Sequence, residues 1–128
     1  GFLMKETWFF FPLGHLFKAM GGIPVPRKKG SDLTRSIIET AKNSKNFVVA
    51  LTPEGTRSYN ENWRKGFLHI AYGAEIPIIL AYFDFKTKTI CLDKEFKYSG
   101  NLENDMISVK EYYKDKNAKY PEKFGLGL

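Results

Sequence analysis

Five consecutive apolar residues, Phe47-Val48-Val49-Ala50-Leu51, stand between polar segments and run directly into Thr52-Pro53-Glu54-Gly55-Thr56-Arg57-Ser58. A run of that length and uniformity predicts a strand covered on both faces, the kind found in parallel sheets. The segment from Thr52 to Ser58 does not suit a strand interior, because a Pro, a carboxylate, a Gly, two hydroxyls and a guanidinium crowd together. In open α/β sheets, ligands gather outside the carboxyl ends of the strands, and the turn should lie there. Gly55 would let backbone N–H groups approach an anion, Thr56 and Ser58 add hydroxyl donors, and Arg57 supplies a planar fork matched to phosphate oxygens. Glu54 can accept hydrogen bonds from a hydroxyl-rich ligand or fix a nearby Arg. The residue types describe a phosphate-and-hydroxyl site.

The flanking segments supply the other elements. Gly1 to Met4 reads as a short strand, and the aromatic stretch from Trp8 to Met20 as a helix stopped by Gly21-Gly22. That stretch can be core or a surface facing acyl chains. Gly22-Ile23-Pro24-Val25-Pro26-Arg27 is extended, since each proline disfavours helix in the residue before it. Ser31 is a candidate N-cap for a helix from Asp32 to about Ser44 with Leu33, Ile37, Ile38 and Ala41 on one face. A further helix is expected over Phe67 to Gly73 and a strand over Ile78 to Phe83. Lys86-Thr87-Lys88 reads as a hairpin turn into an edge strand with Ile90, Leu92, Phe96 and Tyr98 on one face. Asn101 can cap a last helix whose inner face is Leu102, Met106, Val109 and Tyr113, and the tail from Asn117 is expected to be irregular. The fold class expected is α/β: a mostly parallel central sheet flanked by helices, with an antiparallel edge strand, in one domain over residues 1–128.

Lys and Arg exceed Asp and Glu by 20 to 14, which favours an anionic partner: a phosphorylated small molecule, an anionic membrane surface or nucleic acid. No nucleic-acid motif supports the last of these. Cys91 is the only cysteine, so an intrachain disulfide and a multi-cysteine zinc site are excluded. No metal-ligand set stands out, and no apolar run reaches the roughly 18 to 20 residues that span a bilayer. The chain opens at Gly1 inside an apolar segment, which leads us to expect an N-terminally incomplete domain with an unpaired sheet edge prone to self-association.

Pro53-Glu54-Gly55-Thr56-Arg57-Ser58 resembles the glycerolipid acyltransferase motif of the phospholipid/glycerol acyltransferases, which include 1-acylglycerol-3-phosphate acyltransferases. Gly22 to Arg27 resembles their second substrate-binding block, and Ile76-Pro77-Ile78-Ile79-Leu80 their last, proline-bearing apolar block. The three blocks stand in the family's order. The resemblance implies that Arg27 and Arg57 hold the phosphate of an acceptor while Glu54, Gly55 and Thr56 shape the pocket for its glycerol oxygens. It also implies transfer of an acyl group from an acyl-CoA or acyl carrier protein thioester, as co-substrate rather than bound cofactor, to a glycerol-phosphate-type lipid in phospholipid biosynthesis. The setting implied is cytoplasmic and peripheral to a membrane.

Two departures bear on mechanism. Pro26 occupies a place where the family often has an acidic residue. The family's general base is a His followed five positions later by an Asp that orients it. Five positions after His15 stands Met20, and five after His69 stands Ala74. No catalytic residue is therefore assigned, and this chain alone is expected to be inactive in acyl transfer. The alternative from another class is a non-catalytic lipid- or phosphate-binding module.

Overall fold

The structure, a computed structural model, describes residues 2–5, 15–16, 19–20, 22–25 and 30–128. The chain is mixed α/β and divides into two compact units, Gly1–Thr52 and Pro53–Leu128.

In the first unit, strand β1 (Phe2–Lys5) pairs in parallel with β2 (Gly22–Val25), Phe2 opposite Gly22 and Lys5 opposite Val25. Between them His15, Leu16 and Ala19 are helical, as a parallel crossover requires. Helix α1 (Gly30–Lys42) buries Ile37 and Ala41, with Leu33 and Ile38 half-buried, so the expected apolar face is the one used. The helix already begins at Gly30, which places Ser31 inside it rather than at its cap. Arg27 and most of the aromatic stretch lie outside the described residues.

The expected inner strand at Phe47 to Leu51 is not formed: the segment takes no regular secondary structure, and Val48 is 74% exposed. Apolarity predicts that a segment should be covered, but a strand also needs ladder partners, which a local run cannot specify. Among the described residues there are two two-stranded sheets, one parallel and one antiparallel, in place of one mostly parallel central sheet.

The second unit holds α2 (Gly66–Ala74), β3 (Ile78–Asp84), β4 (Thr89–Phe96), α3 (Leu102–Tyr113) and a short 3-10 turn (Pro121–Lys123). Its core is Trp63, Leu68, Leu80, Met106 and Val109. Asn101 caps α3 as its type and position predict: Oδ1 accepts from the N–H of Glu103 and of Asn104, both at 3.1 Å. The α2 helix ends at Glu75, in the left-handed region at φ 55°, where the Glu75 N–H reaches the Ala71 carbonyl. At the hairpin tip, Asp84 Oδ1 accepts from the N–H of Lys86 (2.9 Å) and Thr87 (2.8 Å).

The β3–β4 hairpin contains a bulge that corrects the expected apolar face. Ala81 pairs with Leu92 but Leu80 with Lys94, leaving Asp93 as the extra residue, held by the Tyr112 hydroxyl at 2.6 Å. One inserted residue flips the alternation, so the half-buried Phe96 lies opposite half-buried Ile78, while Ile90 and Leu92 point outward at 72% and 77% exposure. The outward pairs are Phe83 with Ile90 and Ala81 with Leu92. Behind the hairpin, the Tyr113 hydroxyl donates to the Ala81 carbonyl (2.9 Å) and accepts from the Ala81 N–H (3.3 Å).

Candidate functional site

Four of the five predicted site residues, Glu54, Gly55, Thr56 and Arg57, lie on one surface turn of the second unit. The fifth, Arg27, lies outside the described residues. No strand delivers the turn. It is held instead by the segment C-terminal to it, through contacts specific to individual side chains.

The Arg64 N–H donates to the Pro53 carbonyl at 2.7 Å, closing the loop at its base. Asn60 bridges the loop's two limbs: Nδ2 donates to the carbonyls of Glu54 (2.8 Å) and Asn62 (3.1 Å), while Oδ1 accepts from the Asn62 N–H (3.0 Å). The Thr56 hydroxyl oxygen accepts from the Ser58 N–H at 3.2 Å, a local turn that leaves its own proton free to be donated outward. Gly55 sits at φ +68°, and a β-carbon there would lie 2.7 Å from Arg64 Nε and 3.0 Å from Arg64 Cδ. Glycine is favoured there by its backbone conformation, and a side chain would also have to push aside the flexible arm of Arg64 folded across it.

The base of this loop is anchored in the core. Trp63 is buried, its ring tilted against Tyr113 and Phe124 with centroids 5.9 Å away in each case, and its Nε1–H donates to the Gly125 carbonyl at 2.7 Å. Gly125 packs onto the loop backbone so closely that a β-carbon would meet the Asn60 carbonyl carbon at 2.8 Å. Lys110 Nζ, from α3, donates to the Glu61 carbonyl at 2.7 Å. Asn60, Trp63, Arg64 and Gly125 were not assigned to the site by sequence. The Asn60-Glu61-Asn62 cluster signals a turn, and Trp63 is a large apolar residue in a mostly polar segment, but nothing local points to Gly125.

Glu54 is half-buried, and that burial raises its carboxyl above its ordinary value. Arg57 and Arg64 are exposed and form no ion pair among the described residues, whereas the neighbouring Lys65 pairs with Glu103. The turn and the arginine folded over it thus carry guanidinium forks, a hydroxyl donor and a carboxyl group on one short loop. Such a set can take up an anion bearing hydroxyls. His69, on α2, is exposed. Among the described residues, no three His, Cys, Asp or Glu side chains gather into a metal-binding set, and no helix is long and apolar enough to cross a membrane.

A family model described as Acyltransferase matches residues 2–83, more than half of the chain, and the chain belongs to that family. No curated protein and no solved structure matches it.

Proposed function

We propose that this acyltransferase-family chain binds the acceptor of a glycerolipid acyl transfer, a glycerol-phosphate-type lipid, at the Glu54 to Arg57 turn. The observation that carries the reading is an exposed guanidinium, Arg57, beside the exposed Thr56 hydroxyl on the same turn. Arg57 holds the phosphate; Glu54, Gly55 and Thr56 receive the glycerol oxygens. In the reaction, the acceptor hydroxyl attacks the carbonyl carbon of an acyl thioester carried by coenzyme A or acyl carrier protein. The acyl C–O bond forms, the C–S bond breaks, and the hydroxyl proton passes to a general base. The 128 residues contain no His-x4-Asp pair to serve as that base. The chain therefore contributes acceptor binding to phospholipid synthesis at a cytoplasmic membrane surface.

Calorimetric titration with glycerol 3-phosphate and with glycerol tests this. Saturable binding of the first, lost in Arg57→Ala, and no measurable binding of the second are expected. Equal, Arg57-independent affinities for both would overturn the reading. The absence of the His-x4-Asp pair favours a second reading, a non-catalytic lipid- or phosphate-binding module. Acyl transfer by the chain itself, followed with a radiolabelled thioester, would overturn that one.

A further inference from the structure

Arg64 is joined to the site turn at both ends: its N–H closes the turn on Pro53, and its side chain folds back over Gly55, with Nε 2.7 Å from where a β-carbon would stand. Arg57 stands two residues from Gly55, so its Cα is within about 7 Å of the glycine along the chain. Two guanidiniums are therefore tethered to one small loop. Neither is neutralised by a carboxylate among the described residues, although nearby cations are engaged, Lys65 with Glu103 and Lys110 with the Glu61 carbonyl. Glu54, three residues from Arg57, and Glu61, three residues from Arg64, form no ion pair with either guanidinium among the described residues. A single anion can take a fork from each, which would offset the repulsion between two like charges carried on one loop.

We propose that Arg57 and Arg64 together clamp a terminal phosphate monoester, and that this pair makes the site select monoesters over phosphodiesters. A dianionic monoester presents three terminal oxygens, enough for two guanidinium forks at once. A diester presents two and carries one charge, which one fork satisfies. The inference rests on the acceptor reading for the glycerol part of the ligand but not for the anion.

The test titrates the full chain with inorganic phosphate, glycerol 3-phosphate and dimethyl phosphate. The variants are Arg57→Ala, Arg64→Met and their double mutant, with the fold followed by thermal melting and the near-ultraviolet signal of Trp63. Methionine retains a stem to cover Gly55 while removing the fork. Arg64→Met should weaken glycerol 3-phosphate binding about 10- to 100-fold, the range for a lost charge-assisted bond, and leave dimethyl phosphate nearly unchanged. The double mutant should lose less than the product of the single effects. If Arg64→Met lowers the melting temperature, Arg64→Lys replaces it. Lysine keeps the charge without the fork, so a several-fold loss supports the clamp and wild-type affinity overturns it.

The outcomes separate the two ideas. Wild-type affinity in a folded Arg64→Met, with loss in Arg57→Ala, overturns the clamp and leaves the acceptor reading standing. Equal affinities for phosphate and glycerol 3-phosphate, both needing the two arginines, keep the clamp and overturn the glycerol acceptor. No phosphate binding by the wild-type chain overturns the clamp outright.

Discussion

The indole N–H of Trp63 donates to the carbonyl of Gly125, 62 positions away, over 2.7 Å inside the second unit. That bond ties the base of the candidate site to the tail of the chain. Trp63→Phe keeps the ring contacts with Tyr113 and Phe124 and strands one buried carbonyl, which should cost about 1–3 kcal/mol. Gly125→Ala places a β-carbon 2.8–2.9 Å from the backbone of Asn60 and Glu61, atoms that cannot swing away, and should cost at least as much. Urea unfolding followed by tryptophan fluorescence for Gly125→Ala, and by circular dichroism for Trp63→Phe, measures both.

Gly55→Ala should combine a stability loss with a binding loss. The left-handed conformation of a residue with a β-carbon costs about 1–3 kcal/mol, and the new methyl displaces Arg64. Gly66→Ala is the matched control: nothing lies within 4 Å of its β-carbon position, φ is not positive, and the substitution should be neutral or slightly stabilising. Chemical denaturation together with phosphate titration of the two variants gives the comparison.

Asp105 carries a pH dependence. It is buried at the start of α3, where it accepts from the Tyr72 hydroxyl, the Ser99 N–H and hydroxyl, and the Gly100 N–H. Burial works to raise its carboxyl, but the hydrogen bonds from Tyr72, Ser99 and Gly100 outweigh it and hold the group below its ordinary value. A carboxyl depressed in the folded state stabilises above its unfolded value, about 3.9, and the contribution is lost as pH falls through the folded value. Asp105→Asn should therefore cost about 2–3 kcal/mol at neutral pH, with the gap from wild type narrowing below pH 4. Unfolding free energies at pH 7 and pH 3 supply the check.

Glu54 has the opposite sign. Its raised carboxyl contributes stability below the unfolded value, about 4.3, which is lost as pH rises through the folded value. Glu54→Gln should thus be as stable as wild type or more so at pH 7, while weakening any ligand whose hydroxyl bonds to the carboxyl. Melting curves across pH 4 to 8, paired with glycerol 3-phosphate titration, separate the two effects.

The outward face of the hairpin, with Phe83, Ile90 and Leu92 mostly exposed, should make the chain associate as its concentration rises. Leu92→Lys should weaken that association with a stability change within about 0.5 kcal/mol. Sedimentation velocity across a concentration series reads it, and a wild-type chain that stays monomeric throughout would count against the expectation.

Local signals identified α3 through Asn101 and the spacing of Leu102, Met106, Val109 and Tyr113. They identified the hairpin through Lys86-Thr87-Lys88 and the acyltransferase family through ordered blocks. Each of these depends on neighbours a few residues apart, which is the range over which periodicity and capping act. The strand expected at Phe47 to Leu51 failed because pairing is a property of partners distant in sequence. The edge-strand face failed at Asp93 because one bulged residue shifts everything after it, and no residue type announces that shift.

At the candidate site the division is sharpest. The sequence by itself determined that Glu54, Gly55, Thr56 and Arg57 stand together in a turn and carry groups that suit an anion, since residue type and adjacency decide that. Only the tertiary structure decided what holds the turn: Arg64 across Gly55, Asn60 between the loop's limbs, and Trp63 bonded to Gly125. Those contacts arise from packing and from main-chain groups that must find partners once buried, and neither leaves a mark at the positions where the chemistry is written.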